Sequence, residues 1–121
     1  MNEKNEISAR SQRSRELLME RVCCFAREHL AEKITLKDVA GHCGVSVSTV
    51  TQLFQKNGTG TFHGYLTRLR MEQAADLIRE GTALEEAGRR VGYTDHSSFY
   101  RAFCQTFGQS PREYRRAAVK K

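Results

Sequence analysis

The chain has 121 residues, of which 39% are hydrophobic, with one proline and a formal net charge of +6. This length favours a single domain, and the composition favours an all-α fold over a sandwich of strands. No apolar stretch is long enough to span a bilayer and no signal-peptide pattern opens the chain, so we expect a cytoplasmic protein without a membrane partner.

The four cysteines, Cys23, Cys24, Cys43 and Cys104, show no C-x-x-C spacing. The four histidines do not combine with them at zinc-finger spacing, and two adjacent cysteines cannot form an ordinary structural disulfide. A catalytic thiol would need a base or a metal beside it, which the spacing does not suggest. We therefore expect reduced cysteines, no metal, no cofactor and no enzymatic activity.

The positive charge is concentrated at one end of the chain. From Arg89 to Lys121 there are eight Lys and Arg residues against two acidic residues, so the whole excess of +6 lies in this last quarter. A basic segment of this kind favours a polyanionic partner such as DNA.

The first elements are a polar segment and a helix. Residues 1–13 are polar and without period, so we expect a flexible segment there. From Ser14 onward Leu18, Val22 and Leu30 recur at helical spacing, and these residues predict an amphipathic helix at the start of a domain over 14–119.

Two short helices joined by a tight turn follow. Thr35 and Asp38 have the form of a capping box, Gly44 ends the first helix, and Ser46 caps the second. This pattern predicts a helix-turn-helix unit over residues 35–56. The second helix leaves one set of residues facing outward: Val47, Ser48, Thr51, Gln52 and Lys56.

The longest predicted helix covers residues 61–80. Thr61 caps it after a Gly-rich break, and Gly81 ends it. It has apolar residues on more than one side, which is typical of a helix packed against several neighbours. At 1.5 Å per residue it spans roughly 30 Å, and we interpret it as a linker.

A second unit is predicted over residues 82–107. Thr82 and Glu85 form a possible capping box, Gly92 makes the turn, and Thr94 is the expected cap of the next helix. That helix has Phe99 and Phe103 on its buried face, which leaves four polar or charged residues outward: His96, Ser97, Tyr100 and Arg101.

A last helix is predicted over residues 110–119. Ser110 is the cap, Pro111 takes the first position, and Glu113 completes a capping box.

The two units are copies of one pattern. Residues Leu36, Gly44, Val45 and Ser46 match Leu84, Gly92, Tyr93 and Thr94 at an offset of 48, and the later residues match at an offset of 49. Successive major-groove segments on one side of B-DNA recur about every 34 Å, close to the length of the predicted linker helix. One chain could therefore read two adjacent groove segments of an asymmetric site as a monomer.

These residues resemble the DNA-binding domain of AraC/XylS-type transcription regulators. The resemblance runs from Leu36 to Arg115 and, together with the first helix, covers most of the chain. Its most specific part is the motif Gly92-Tyr93-x-Asp95-x-x-Ser98-Phe99-x-Arg101-x-Phe103, continued by Phe107-Gly108-x-Ser110-Pro111-x-x-Tyr114-Arg115. It implies seven helices, with two helix-turn-helix units joined by a long linker helix.

The resemblance also implies a function. The chain would be a sequence-specific regulator that binds double-stranded DNA on the bacterial nucleoid, and we expect an activator that also contacts RNA polymerase. The implied base-facing residues are Ser48, Thr51 and Gln52 in the first unit and His96, Ser97, Tyr100 and Arg101 in the second, with Val47 beside the first set. Candidates for phosphate contacts are Lys37, Lys56, Arg68, Arg89, Arg90 and Arg112.

The chain departs from the family pattern beneath the second reading helix. Ala87 stands where a large aliphatic residue is usual, and Gly88 stands where alanine is usual. A glycine within a helix costs about 1 kcal/mol relative to alanine. The second unit is then either looser than usual or built from helices that lie closer together.

Two questions remain open at this point, one about the extent of the protein and one about its function. The chain is either a stand-alone regulator or the DNA-binding fragment of a larger effector-responsive protein. The competing function is a protein-interaction module whose basic end docks an acidic partner.

Overall fold

The computed structural model describes the backbone of residues 3–58 and 60–119 and the side chains of residues 12–58 and 60–118. Within these ranges the chain forms seven helices and no strand, which confirms the predicted all-α fold. The helices are α1 (Glu3–Glu28), α2 (Leu36–Cys43), α3 (Val47–Lys56), α4 (Phe62–Arg79), α5 (Leu84–Arg90), α6 (His96–Phe107) and α7 (Pro111–Val119). None of these helices is long and apolar enough to cross a membrane.

The chain divides into two compact units. The first contains α1, α2 and α3 and extends to Phe62, the first residue of α4. The second contains the rest of α4 together with α5, α6 and α7, and it also includes the segment Leu30–Lys33. Each unit therefore carries one of the two predicted helix-turn-helix pairs.

The first unit has a core drawn from all three of its helices. Val22 of α1, Val39 of α2 and Val50 of α3 are completely buried, and Phe54 is 1% exposed. The ring of Phe54 meets that of Phe62 edge to face, with centroids 5.9 Å apart. Burial of these apolar side chains fixes which face of α3 is turned inward.

The core of the second unit is formed by α4, α5 and α6. Its buried residues are Met71, Ala74, Ala75, Leu77, Ile78, Ala87, Val91, Phe99 and Phe103. Arg70 ties the segment 30–33 to α4, because its Nε donates to the Leu30 carbonyl at 2.6 Å and its Nη2 to the Glu32 carbonyl at 2.8 Å. The same guanidinium lies 5.9 Å from the centroid of the Tyr93 ring.

Two predicted helix starts are confirmed by their hydrogen bonds. Thr35 and Asp38 form a reciprocal capping box on α2, at 2.9 and 3.2 Å. Ser110 and Glu113 form the same arrangement on α7, at 2.8 and 3.1 Å. Hydrogen bonds from Ser110 to the Glu113 carboxylate hold its pKa below the ordinary value.

The predicted start of the first helix at Ser14 is wrong, because α1 begins at Glu3. No proline or glycine occurs between Glu3 and Glu28, so nothing in this stretch stops the helix from extending toward its N-terminus. The flexible segment predicted over 1–13 is thus helical from residue 3. Its residues 1 and 2 lie outside the described residues, as do Lys120 and Lys121 of the basic end.

The predicted capping box of Thr82 and Glu85 does not form either. Ala83 is the N-cap of α5, and no side chain caps this helix. Thr82 instead closes the end of α4, where its N–H donates to the Leu77 carbonyl at 2.9 Å. Thr82 therefore lies one residue too early to cap α5.

Candidate nucleic-acid interface

The turn between α2 and α3 is closed by two backbone hydrogen bonds. Gly44 adopts a left-handed conformation with φ of 70°, and its N–H donates to the Gly41 carbonyl at 3.3 Å. The N–H of Val45 donates to the Ala40 carbonyl at 3.0 Å. This pair of bonds is the Schellman motif, which ends α2 and redirects the chain into α3.

The turn between α5 and α6 repeats this pattern at an offset of 48. Gly92 donates to the Arg89 carbonyl at 3.0 Å, and Tyr93 donates to the Gly88 carbonyl at 2.9 Å. Gly92 has φ of 104°, and a Cβ at this position would lie 2.9 Å from the carbonyl oxygen of Ala31. Both the conformation and the close backbone approach therefore require glycine here.

The N-caps of α3 and α6 show where the repeat gains one residue. Ser46 caps α3, and its hydroxyl accepts from the Thr49 N–H at 3.1 Å. The predicted cap of α6, Thr94, is wrong: Asp95 is the N-cap and accepts from the Ser98 N–H at 2.8 Å and from the Ser98 hydroxyl at 2.6 Å. A carboxylate can accept both bonds and its charge suits a helix N-terminus, so Thr94 is left in the turn.

The hydrogen bonds from Ser98 lower the pKa of Asp95 below the ordinary value. Ser46 and Asp95 are equivalent N-caps, so the 10 residues of α3 correspond at an offset of 49 to the first part of α6, which has 12 residues.

The outward face of α3 carries the four residues predicted to face the bases. Its buried residues are Val50, Leu53 and Phe54. The exposed candidates are its first, second, fifth and sixth residues: Val47, Ser48, Thr51 and Gln52. Val47 is 40% exposed and is the apolar member of this set of four.

The outward face of α6 carries the corresponding four residues. Phe99 and Phe103 are buried at 1% and 0% exposure and anchor the helix. The exposed candidates stand at the same four helix positions as in α3: His96, Ser97, Tyr100 and Arg101.

The surface of α6 also includes Cys104 and Gln105, which line one depression together with the four candidates. Helical spacing of three and four residues from Arg101 would have found both residues.

The six predicted phosphate-binding residues are all exposed: Lys37, Lys56, Arg68, Arg89, Arg90 and Arg112. Arg89 forms an ion pair with Glu86 one turn earlier on α5. An exposed pair of this kind contributes little to stability and can be exchanged for a phosphate contact.

Gly88 brings α5 and α6 close together. It is buried, and a Cβ at this position would lie 3.0 Å from two ring atoms of Phe99. Of the two possibilities left open by the sequence, the structure shows the closer approach of the helices. The Phe99 ring occupies the space that a larger residue at position 88 would need.

The cysteines show no arrangement typical of catalysis. All four are free, and the exposed Cys24 thiol donates to the Glu28 carboxylate at 3.2 Å. This hydrogen bond, together with the negative charge of Glu28, raises the pKa of Cys24 and disfavours the reactive thiolate. Among the described residues, no group of three or more His, Cys, Asp or Glu could hold a metal ion.

Two helix-turn-helix units, each with an exposed polar face on its second helix, define the class of this protein. A family model described as a helix-turn-helix domain matches residues 39–117. The chain belongs to this family, the AraC-type helix-turn-helix proteins. The transcriptional activator NphR of Rhodococcus is 38% identical over 84 residues, which is 69% of this chain and 25% of that protein.

Solved structures of similar sequence share the fold. The C-terminal domain of AraT, a response regulator from Geobacillus stearothermophilus, is 30% identical with a TM-score of 0.77, over 83% of this chain and 84% of that one. The DNA-binding domain of the global transcriptional factor AdpA, solved in complex with a target DNA, is 27% identical with a TM-score of 0.75, over 85% and 93%. The chain spans 24% to 37% of the length of its curated relatives.

Proposed function

We propose that this chain is a sequence-specific DNA-binding unit of a transcription activator, and that it reads two adjacent major-groove segments of an asymmetric site. The observation that carries this proposal is the duplicated reading face. Four exposed side chains stand at the same positions of α3 and α6, each set held outward by buried residues on the opposite side of its helix. A face of this kind is what a helix in the major groove requires.

The side chains of the two faces favour different base contacts. Arg101 suits a bidentate contact with guanine, whereas Gln52 suits a bidentate contact with adenine. Val47 can contact the methyl group of thymine. Because the first face carries no arginine, the second unit contributes more of the sequence preference.

The basic residues supply contacts to phosphates. Lys37, Lys56, Arg68, Arg89, Arg90 and Arg112 would position the units on the duplex without reading its sequence. Each phosphate contact releases counterions, so the affinity should fall steeply as the salt concentration rises.

A chain with two reading helices can bind its site as a monomer. We further infer that the chain acts on the nucleoid in the bacterial cytoplasm and that the bound protein recruits RNA polymerase. Because this chain matches only 25% and 34% of the length of two relatives named as transcriptional activators, the whole protein can include further domains that respond to an effector.

Selection of bound sites from random DNA tests this proposal. We expect an enriched asymmetric site with a stricter half that contains a guanine. Arg101→Ala should cost about 1–3 kcal/mol of binding and relax the preference at that one position. Arg90→Ala is the control, because loss of a phosphate contact should weaken binding to all sequences equally.

Recovery of no enriched sequence would refute the proposal. Tight binding to an acidic protein by a chain without DNA affinity would favour the competing protein-interaction module.

A further inference from the structure

Residues of α1 and α3 line two adjoining open grooves within the first unit. The smaller groove, of about 380 Å³, includes Arg15 and Leu18 of α1 together with Gln52 and Lys56 of α3. The larger groove, of about 770 Å³, continues along α1 and includes Arg15 and Lys56 again. Arg15 and Lys56 therefore line both grooves, and Gln52, a predicted base-facing residue, lines the smaller groove with them.

The two grooves differ in charge. The smaller groove is lined by Arg15 and Lys56 and by no carboxylate. The larger groove also contains Glu16 and Glu20, which oppose its cations. An anion is therefore favoured in the smaller groove and repelled from the acidic part of the larger one.

Within residues 12–58 and 60–118, whose side chains the structure describes, no group neutralises either cation of the smaller groove. Among the described residues, the side chains of Arg15 and Lys56 form no ion pair and no hydrogen bond, whereas the neighbouring Glu16 accepts a hydrogen bond from Gln12 at 3.4 Å. Arg15 is half-buried, so its guanidinium loses less conformational freedom on binding than that of a fully exposed arginine. Two unpaired cations in one groove provide a place for a phosphate.

We propose that α1 is part of the DNA interface, and that Arg15 and Lys56 together hold the sugar-phosphate backbone of the strand that passes beside α3. Gln52 lies in the same groove, so a duplex read by Gln52 brings a phosphate within reach of both cations. Neither sequence periodicity nor the family resemblance assigns a DNA contact to α1. This inference rests on the proposed function, because it takes α3 as a reading helix.

The test is the salt dependence of DNA binding by the full 121-residue chain. Each phosphate contact contributes about 0.9 to the slope of log K against log salt concentration. Arg15→Gln should lower the steepness of this slope by about 0.9, and Arg15→Gln with Lys56→Gln by about twice that amount. The loss of affinity should be the same on the selected site and on random DNA. Arg15→Lys should retain the slope, because it retains the charge.

Arg13→Gln is the matched control, because it removes the same charge from an exposed position of α1 that lines neither groove. Thermal unfolding of each variant checks that α1 remains folded. An Arg15→Gln slope equal to that of Arg13→Gln would overturn this inference, and so would a loss of affinity without a change in slope. If the unmodified chain binds the selected site more tightly than random DNA in these titrations, the proposed function stands even when the inference about Arg15 fails.

Discussion

Replacement of Gly92 by alanine should be among the most destabilising small changes in the second unit. Two separate costs combine at this position. A residue with a Cβ at positive φ costs about 1–2 kcal/mol, of which about 0.4–1 kcal/mol is recovered because alanine has less freedom in the unfolded chain. The second cost comes from the backbone of Ala31, whose carbonyl oxygen and carbon would lie 2.9 and 3.1 Å from the new Cβ.

The backbone at Ala31 cannot retreat freely from the new methyl group. Arg70 holds the carbonyl groups of Leu30 and Glu32, on either side of Ala31, at 2.6 and 2.8 Å. Overpacking against a fixed neighbour costs about 1–3 kcal/mol. We therefore expect Gly92→Ala to lower the free energy of unfolding by about 2–4 kcal/mol in total.

Gly81 provides a matched control for the conformational part of this cost. It follows α4 with φ of 98°, close to the 104° of Gly92, and its Cβ would meet nothing within 4 Å. Gly81→Ala should therefore cost only about 1 kcal/mol.

Chemical denaturation followed by circular dichroism measures both variants at neutral pH. Equal costs for Gly81→Ala and Gly92→Ala would refute the argument from Ala31. A further check is the double variant Arg70→Ala with Gly92→Ala, whose cost should be smaller than the sum of the single costs, because the released segment can move away.

Three further changes test other features. Gly88→Ala should leave the free energy of unfolding unchanged or lower it by up to about 2 kcal/mol, because the contact of the new methyl group with the Phe99 ring opposes the gain in helix propensity. Gly41→Ala is the control: its Cβ would meet nothing within 4 Å, so it should raise the free energy of unfolding by about 1 kcal/mol. Thermal unfolding measures both variants. The pKa of Asp95 is lower in the folded protein than its ordinary value of 3.8, so the ionised carboxylate stabilises the fold at any pH above 3.8. This stability is lost as the pH falls through the lower pKa of the folded state. Asp95→Asn should therefore make the free energy of unfolding less dependent on pH in the acid range. Glu28→Gln removes the negative charge beside Cys24, so it should lower the pKa of this thiol and speed its alkylation at neutral pH. Mass spectrometry measures the alkylation rate, and an unchanged rate would count against control of this thiol by Glu28.

Local signals in the sequence predicted most of the fold. The capping residues of α2 and α7 and the glycines of both turns act through bonds between near neighbours, so their spacing is sufficient to place them. The cap of α6 does not follow from spacing alone, because Thr94 and Asp95 are both suitable N-caps and the path of the preceding turn decides between them. Arg70 and the carbonyls it binds are about forty residues apart, and no periodicity reports such a contact.

The candidate site was less predictable than the fold. Helical periodicity placed the outward faces of α3 and α6, since their opposite faces are apolar. Which of the exposed residues touch bases stays a prediction, because exposure is necessary for readout and does not specify a partner. The grooves beside Arg15 depend on how α1 lies against α3, which is a tertiary contact that neither helix encodes alone.

The extra residue at Thr94 lies between the turn and the N-cap, so it leaves the register within α6 unchanged. Each outward position of α3 has a counterpart forty-nine residues later, counted from the caps Ser46 and Asp95. We therefore expect that an outward side chain of one helix can replace its counterpart on the other without a change at the buried residues that anchor either helix. Under the proposed function, we therefore expect that changes on one outward face alter the preference for one half of the DNA site, while the unchanged half serves as an internal reference.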